Sequence, residues 1–162
     1  MKLTEALPIA EKVKAMLAPH CERIEIAGSI RRKKPYVKDI EIVAIPKPYE
    51  TGLFESGVAA VINQWQKVKG ELPCKYTQRI LPEGIKLDLF FAVPENWGLI
   101  YAIRTGSAEY SHKVLARGWK AKGYTSVNGM LTQRSKTYPV FEEKDLFDRL
   151  GIPEVEPEKR NL

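Results

Sequence analysis

Long apolar runs are missing from this chain. No stretch approaches the ~18 consecutive apolar residues of a membrane-crossing helix, and the opening MKLTEALPIAEK has no apolar signal-peptide core. No membrane partner is therefore expected. Cysteine is scarce. Cys21 and Cys74 are the only two, too few for a framework of several disulfides. Histidine is equally sparse: His20 lies beside Cys21 and His112 stands alone, so no zinc-finger spacing exists. Both thiols read as half-buried free cysteines. Internal repeats and long linkers are absent too. Disulfide-stapled, zinc-module and repeat architectures drop out, and a reduced, cytoplasmic protein is the expectation.

What is present is a chain of 162 residues, 44% hydrophobic and 28% charged. That length makes one domain or two small ones with a real core. The net charge is +6, and its location is informative. From Arg104 to Lys136 there are seven bases (Arg104, Lys113, Arg117, Lys120, Lys122, Arg134, Lys136) and one acid, Glu109. The rest of the chain balances. A regional surplus points to a polyanionic partner more than a uniformly basic surface would.

Apolar spacing predicts an amphipathic helix over 3–17 and strands over 23–27 and 39–45, separated by Gly28-Ser29 and a basic loop from Arg31 to Lys38. Leu53, Phe54, Val58, Ala59, Val61, Ile62 and Trp65 predict a packing helix over 53–68. Residues 76–81 and 85–93 read as a hairpin around Pro82-Glu83-Gly84. A short helix over 97–102 comes next. A longer one over 107–122 has Ser107 as N-cap and Gly123 past its end. Asn128-Gly129 marks a small hairpin, and 142–150 closes as a helix before Gly151 and Pro153. The order predicts an α+β fold.

Asp39 and Glu41 are the first residues that carry chemistry. At i and i+2 on a strand they share one face, ~7 Å apart along it. Such a pair repels itself unless a cation lies between, and its hard oxygens suit Mg²⁺ or Mn²⁺. A half-buried strand with a solvated acidic face carries the same pattern. The context upstream adds weight. Gly28-Ser29 followed by Arg31-Arg32 offers backbone N–H groups, a hydroxyl and a guanidinium fork, which together can hold a phosphate chain. An ordinary turn and a solvated basic loop are the plainer alternatives. Asp88 is the third carboxylate. It sits in Lys86-Leu87-Asp88-Leu89-Phe90-Phe91, too apolar a strand to hold an unpartnered charge. A buried salt bridge, for example with Lys86, is its alternative.

Gly28-Ser29, Asp39-x-Glu41 and a later-strand Asp88 together resemble the DNA polymerase β-like nucleotidyltransferase superfamily. The last third is more specific. Arg104-Thr105-Gly106-Ser107, a basic helix, Lys122-Gly123-Tyr124, Asn128-Gly129, Glu142 to Phe147, Leu150-Gly151 and Pro157 to Arg160 run in the order seen in family X DNA polymerases. The resemblance implies a nucleotidyltransferase palm over 1–100, a mixed or antiparallel sheet with flanking helices, and a small α+β thumb over 101–162. It implies that Asp39, Glu41 and Asp88 bind two Mg²⁺ or Mn²⁺ ions. Asp39 and Glu41 would bind both, and Asp88 only the catalytic one, beside the primer hydroxyl. Ser29 and Arg32 would hold the β- and γ-phosphates, with Gly28 allowing close approach. Thr105, Gly106 and Ser107 would pass beneath the sugar and base. Glu41 stands where the family usually has a second aspartate. Ile103-Arg104 replaces a common aromatic before Thr-Gly-Ser, and Ala108 replaces a polar residue.

The implied activity is addition of dNMP to a primer 3′-OH with pyrophosphate release, in short-gap filling during DNA repair. The expected partners are gapped or primer-template DNA and dNTP, bound by a monomer. Only about 20 residues precede the first motif strand, so the lyase domain of many relatives is not expected, and DNA affinity should be modest and salt-dependent. Lys113, Arg117 and Lys120, spaced +4 and +3, would line one helix face along a DNA backbone. Trp119 and Tyr124 lie near that stripe and read as packing between palm and thumb before base stacking. Two other readings remain: a nucleotidyltransferase with a non-DNA acceptor, and a non-catalytic nucleic-acid-binding module.

Overall fold

Helix α1 (Leu3–Leu17) forms because Ala6, Ala10, Val13 and Leu17 recur at helical spacing, and these are the residues it buries. Glu5 in its first turn and Lys14 in its last complement the helix dipole. Pro8 lies inside the helix rather than at its start, so one intrahelical N–H is missing there. The computed structural model describes residues 1–48 and 57–162. These form two compact units, Met1–Ala92 and Val93–Leu162.

The first unit is built on a five-stranded mixed sheet in the order β1-β2-β5-β4-β3. Its strands are β1 (Cys21–Ile26), β2 (Asp39–Pro46), β3 (Gln66–Lys69), β4 (Tyr76–Ile80) and β5 (Lys86–Phe91). The central pair, β2 and β5, is parallel; the other neighbours are antiparallel. One sheet face supplies Ile24, Ile40, Ile42, Ala44, Leu87 and Leu89 to a core shared with the apolar stripe of α1. By the two-residue alternation of strands, Asp39, Glu41, Asp88 and Gln78 point to the other face. The helix-covered face thus fixes the register, and the register decides which polar groups meet on the far side.

Two connections differ from the sequence expectation. Gly28-Ser29 is not a simple turn: it opens a single helical turn, α2 (Gly28–Arg31), with Gly28 at φ +62°. The helix expected over 53–68 is reduced to α3 (Val58–Ile62), and Leu53 and Phe54 lie outside the described residues. Asn63 caps α3, and Gln66–Lys69 becomes the exposed edge strand β3, paired with β4. Pairing with a sheet edge overrides helical periodicity there. The 76–93 hairpin forms as expected, with Gly84 at φ +92° in its turn.

The second unit packs α4 (Trp97–Thr105), α5 (Ala108–Tyr110), a π-helical stretch (Ser111–Ala116), α6 (Arg117–Ala121) and α7 (Glu143–Leu150) with an antiparallel sheet of β6 (Thr125–Val127), β7 (Met130–Gln133) and β8 (Lys136–Tyr138). Leu99, Ala102, Leu115, Trp119, Leu131, Leu146 and Phe147 are in its core. Asn128 and Gly129 both take positive φ, the tight hairpin geometry expected of them. A second such turn at Arg134-Ser135 also has positive φ at both residues and adds β8, which the sequence reading lacks. The fold is α+β, and no helix among the described residues is long and apolar enough to cross a membrane.

Candidate metal centre

The parallel register sets Glu41 directly opposite Asp88, and Asp39 one pleat upstream of Glu41. One carboxylate oxygen from each of the three lies within 4.8 Å of the others. Asp88 is buried, while Asp39 and Glu41 are half-buried. Such proximity costs energy without a cation, and the strain is visible at Asp39. Its carboxyl is held above the usual range, first by burial, then by the Asp88 charge, then by a hydrogen bond with Asp88. Lys38 and Lys86 pull the other way but do not cancel this. The donor set is all hard oxygen, which fits Mg²⁺ or Mn²⁺.

Asp88 is held from β4. Gln78 sits opposite it in the register and donates from Nε2 to Oδ1 at 2.7 Å. The Tyr76 hydroxyl donates to the same oxygen at 2.6 Å. Burial first, then this bond and the three acids, push the Tyr76 hydroxyl well above its ordinary pKa. The Tyr76 ring stacks on Phe90, centroids 4.8 Å apart. Neither Tyr76 nor Gln78 stands out in the sequence, although the hairpin turn contains the signal: paired positions run symmetrically about Glu83, so 78 must face 88.

Gly28 lies against Glu41. A Cβ there would run into the Glu41 carboxylate, and φ +62° already favours glycine. The Arg32 guanidinium is held below its usual pKa by burial, against the opposing attraction of Glu41. Gly28, Ser29 and Arg32 thus belong to the helical turn beside the carboxylates, with Arg32 as its C-cap. The structure gathers these three and the acids in the first unit.

The remaining expected residues lie in the second unit. Thr105 ends α4 and is fully buried. Gly106 follows, where a Cβ would meet the Tyr110 ring and the Ser111 hydroxyl at 2.7 and 2.9 Å. Ser107 caps α5, its Oγ accepting from the Tyr110 N–H at 3.1 Å, and its own N–H donates to the Arg160 carbonyl at 3.0 Å. Lys113, Arg117 and Lys120 are all exposed. Lys113 pairs with Glu109 at 3.9 Å, a surface contact of little energetic weight. Trp119 is buried in this unit's core. Tyr124 meets Tyr138 edge-on and accepts a hydrogen bond from Arg149. These contacts of both aromatics lie inside the second unit, where the expectation was packing between palm and thumb. No protein-family model and no curated protein matches the chain.

Proposed function

We propose that this chain is a metal-dependent nucleotidyltransferase, a DNA-directed DNA polymerase of the family X kind with a palm and a thumb. The observation that carries this reading is the clustering of Asp39, Glu41 and Asp88 within 4.8 Å on two parallel strands, beside a turn whose glycine lies against Glu41. A binding module gains nothing from three crowded acids near phosphates. When bound, two divalent cations supply Lewis-acid stabilisation of the attacking and leaving oxygens. Asp39 and Glu41 would hold both ions, and Asp88 the one next to the primer end.

In this reading the primer 3′-oxygen forms a bond to the α-phosphorus, the α–β bridge breaks and pyrophosphate leaves. Asp88 would help accept the hydroxyl proton. Ser29 and Arg32 hold the β- and γ-phosphates. Lys113, Arg117 and Lys120 lie along the DNA backbone. Short-gap filling in repair is the proposed setting.

The test is primer extension on gapped and open templates with Mg²⁺ or Mn²⁺, run with dNTPs and NTPs in parallel. Templated addition is expected, and Asp88→Ala should abolish it with an unchanged circular dichroism spectrum. Labelled nucleotide transferred in the absence of DNA would move the assignment to a non-DNA acceptor. No transfer at all would overturn it.

A further inference from the structure

From the last residue of α2 to the start of β2 the chain reads Arg31-Arg32-Lys33-Lys34-Pro35-Tyr36-Val37-Lys38, with five bases and no acid. Tyr36 is 68% exposed, the most exposed of the large hydrophobic side chains in the described residues. Burial normally claims such a ring, and here nothing covers it. The loop is also held in place on both sides of the ring. The Leu3 N–H donates to the Pro35 carbonyl at 2.9 Å, and the Val37 N–H donates to the Met1 carbonyl at 2.8 Å. The Met1 nitrogen donates back to the Val37 carbonyl at 3.0 Å. Lys2 and Tyr36 form a β-bridge. Upstream, Lys33 turns the chain at φ +59° and the Lys34 N–H reaches the Ser29 carbonyl at 3.0 Å.

A fixed, solvent-facing aromatic among cations has a specific chemical match. Its ring offers a flat apolar surface, and the lysines beside it in sequence offer counter-charges at flexible reach. Unpaired nucleic acid presents bases with free faces and phosphates on either side, whereas a duplex hides its faces in the stack. Lys2, Lys33 and Lys38 are exposed. We propose that this loop is a docking surface for single-stranded DNA, with Tyr36 stacking on an unpaired base and Lys33, Lys34 and Lys38 meeting the flanking phosphates.

The location gives the surface a use. Tyr36 stands three residues before Asp39, so their Cα atoms lie within about 11 Å. An unpaired strand held there lies close to the acidic cluster. The surface adds a nucleic-acid contact in the first unit, separate from the basic helix of the second. It is measured without turnover, so it stands or falls independently of whether the chain polymerises.

The experiment is fluorescence anisotropy with labelled dT20 and with a 20-base-pair duplex, in EDTA and without nucleotide. The full chain should bind dT20 in low salt, and Tyr36→Ala should weaken this about tenfold, the scale of one lost base–aromatic stack. Tyr36→Trp should restore it. Duplex binding should be little affected by either. Replacing Lys33, Lys34 and Lys38 together by alanine should lower the slope of log affinity against log salt by about 2, since each phosphate contact on a single strand adds about 0.7. Wild-type affinity of Tyr36→Ala for dT20 would overturn the proposal, as would no binding of dT20 by the intact chain. Binding to phosphatidylserine vesicles that depends on Tyr36, with dT20 binding that does not, would overturn it in favour of a membrane surface.

Discussion

The Tyr76 hydroxyl donates to Oδ1 of Asp88 at 2.6 Å, so the buried acid of the cluster is oriented by a residue from a neighbouring strand. With Gln78 on the same oxygen, one side of the Asp88 carboxylate is committed to β4. Partners of this kind fix the direction of a ligating carboxylate, and losing one typically costs 10–100-fold in metal affinity or activity. Tyr76→Phe keeps the ring on Phe90 and removes only the donor. It should weaken Mn²⁺ binding, read directly by calorimetry or by the EPR signal of free Mn²⁺, by roughly tenfold or more. Thermal stability should change little. Unchanged Mn²⁺ affinity would show that Gln78 alone suffices.

Asp39 lies in a conflict that the metal-free protein cannot resolve. Its carboxyl is half-buried beside Asp88 and retains its proton above the normal range. Removing the charge removes the conflict. Asp39→Asn should therefore melt higher than the parent in EDTA. The same variant should lose the stabilisation that Mg²⁺ or Mn²⁺ gives the parent. Melting curves of both proteins across a metal titration check both halves. A variant that melts lower in EDTA would mean that Asp39 is held favourably by its lysines.

Gly28 supports a sharper expectation. Any side chain there adopts a left-handed backbone, costing about 1–2 kcal/mol, and also displaces the Glu41 carboxylate. Gly28→Ala should lower stability in a urea titration by at least that amount. It should also lower nucleotide transfer more than stability loss alone explains, because the displaced group is a proposed ligand. Normal activity in the folded fraction would separate the glycine from the site.

Much of this arrangement was legible in the sequence. The period-2 pattern of Asp39 to Ile45 placed both acids on one face, and the apolar run around Asp88 marked it as buried. The hairpin about Glu83 was marked by Pro-Glu-Gly. What stayed hidden was pairing between distant segments. Nothing local tells β2 to lie parallel to β5, yet that register alone brings Glu41 opposite Asp88. Gln66–Lys69 gives no strand signal in the sequence, because this edge strand buries nothing and so carries no apolar alternation. The strand β8 has no turn signal before it, because Arg134-Ser135 supplies the geometry that Asn-Gly or Gly-Gly usually announces. Donors such as Tyr76 are polar residues on ordinary strands, recognisable only once the hairpin register is counted.

In the second unit, Arg160 is 1% exposed and its guanidinium forms an ion pair with the Glu143 carboxylate, which is also buried. Arg160 also donates from Nε to the Val155 carbonyl at 2.9 Å and lies over the Phe147 ring. Arg160→Met leaves a buried carboxylate without its counter-ion, a loss of about 3–5 kcal/mol. Adding Glu143→Leu should recover most of it. Urea unfolding of the two single variants and the double variant forms the cycle, and a double variant no better than Arg160→Met would place the loss in packing against Phe147 instead.

Cys21 gives the pH dependence. It is buried in the first core, and burial pushes its thiol up to about 11 from 9.0, against a smaller opposing pull from Lys47. Only the thiolate reacts with iodoacetamide, so at pH 8 about one Cys21 in a thousand is reactive at any moment. Cys74 is only partly buried and should be labelled first. Mass spectrometry of the folded protein at pH 8 should show one alkylation per chain, at Cys74, and two in urea. The same shift has a consequence for stability. The folded state holds the thiol proton more tightly than the unfolded state does, so the contribution is fully present below about pH 9. It declines as pH rises toward 11. Cys21→Ala should flatten that decline in urea titrations between pH 8 and 11, and an unaltered decline would trace it to other groups.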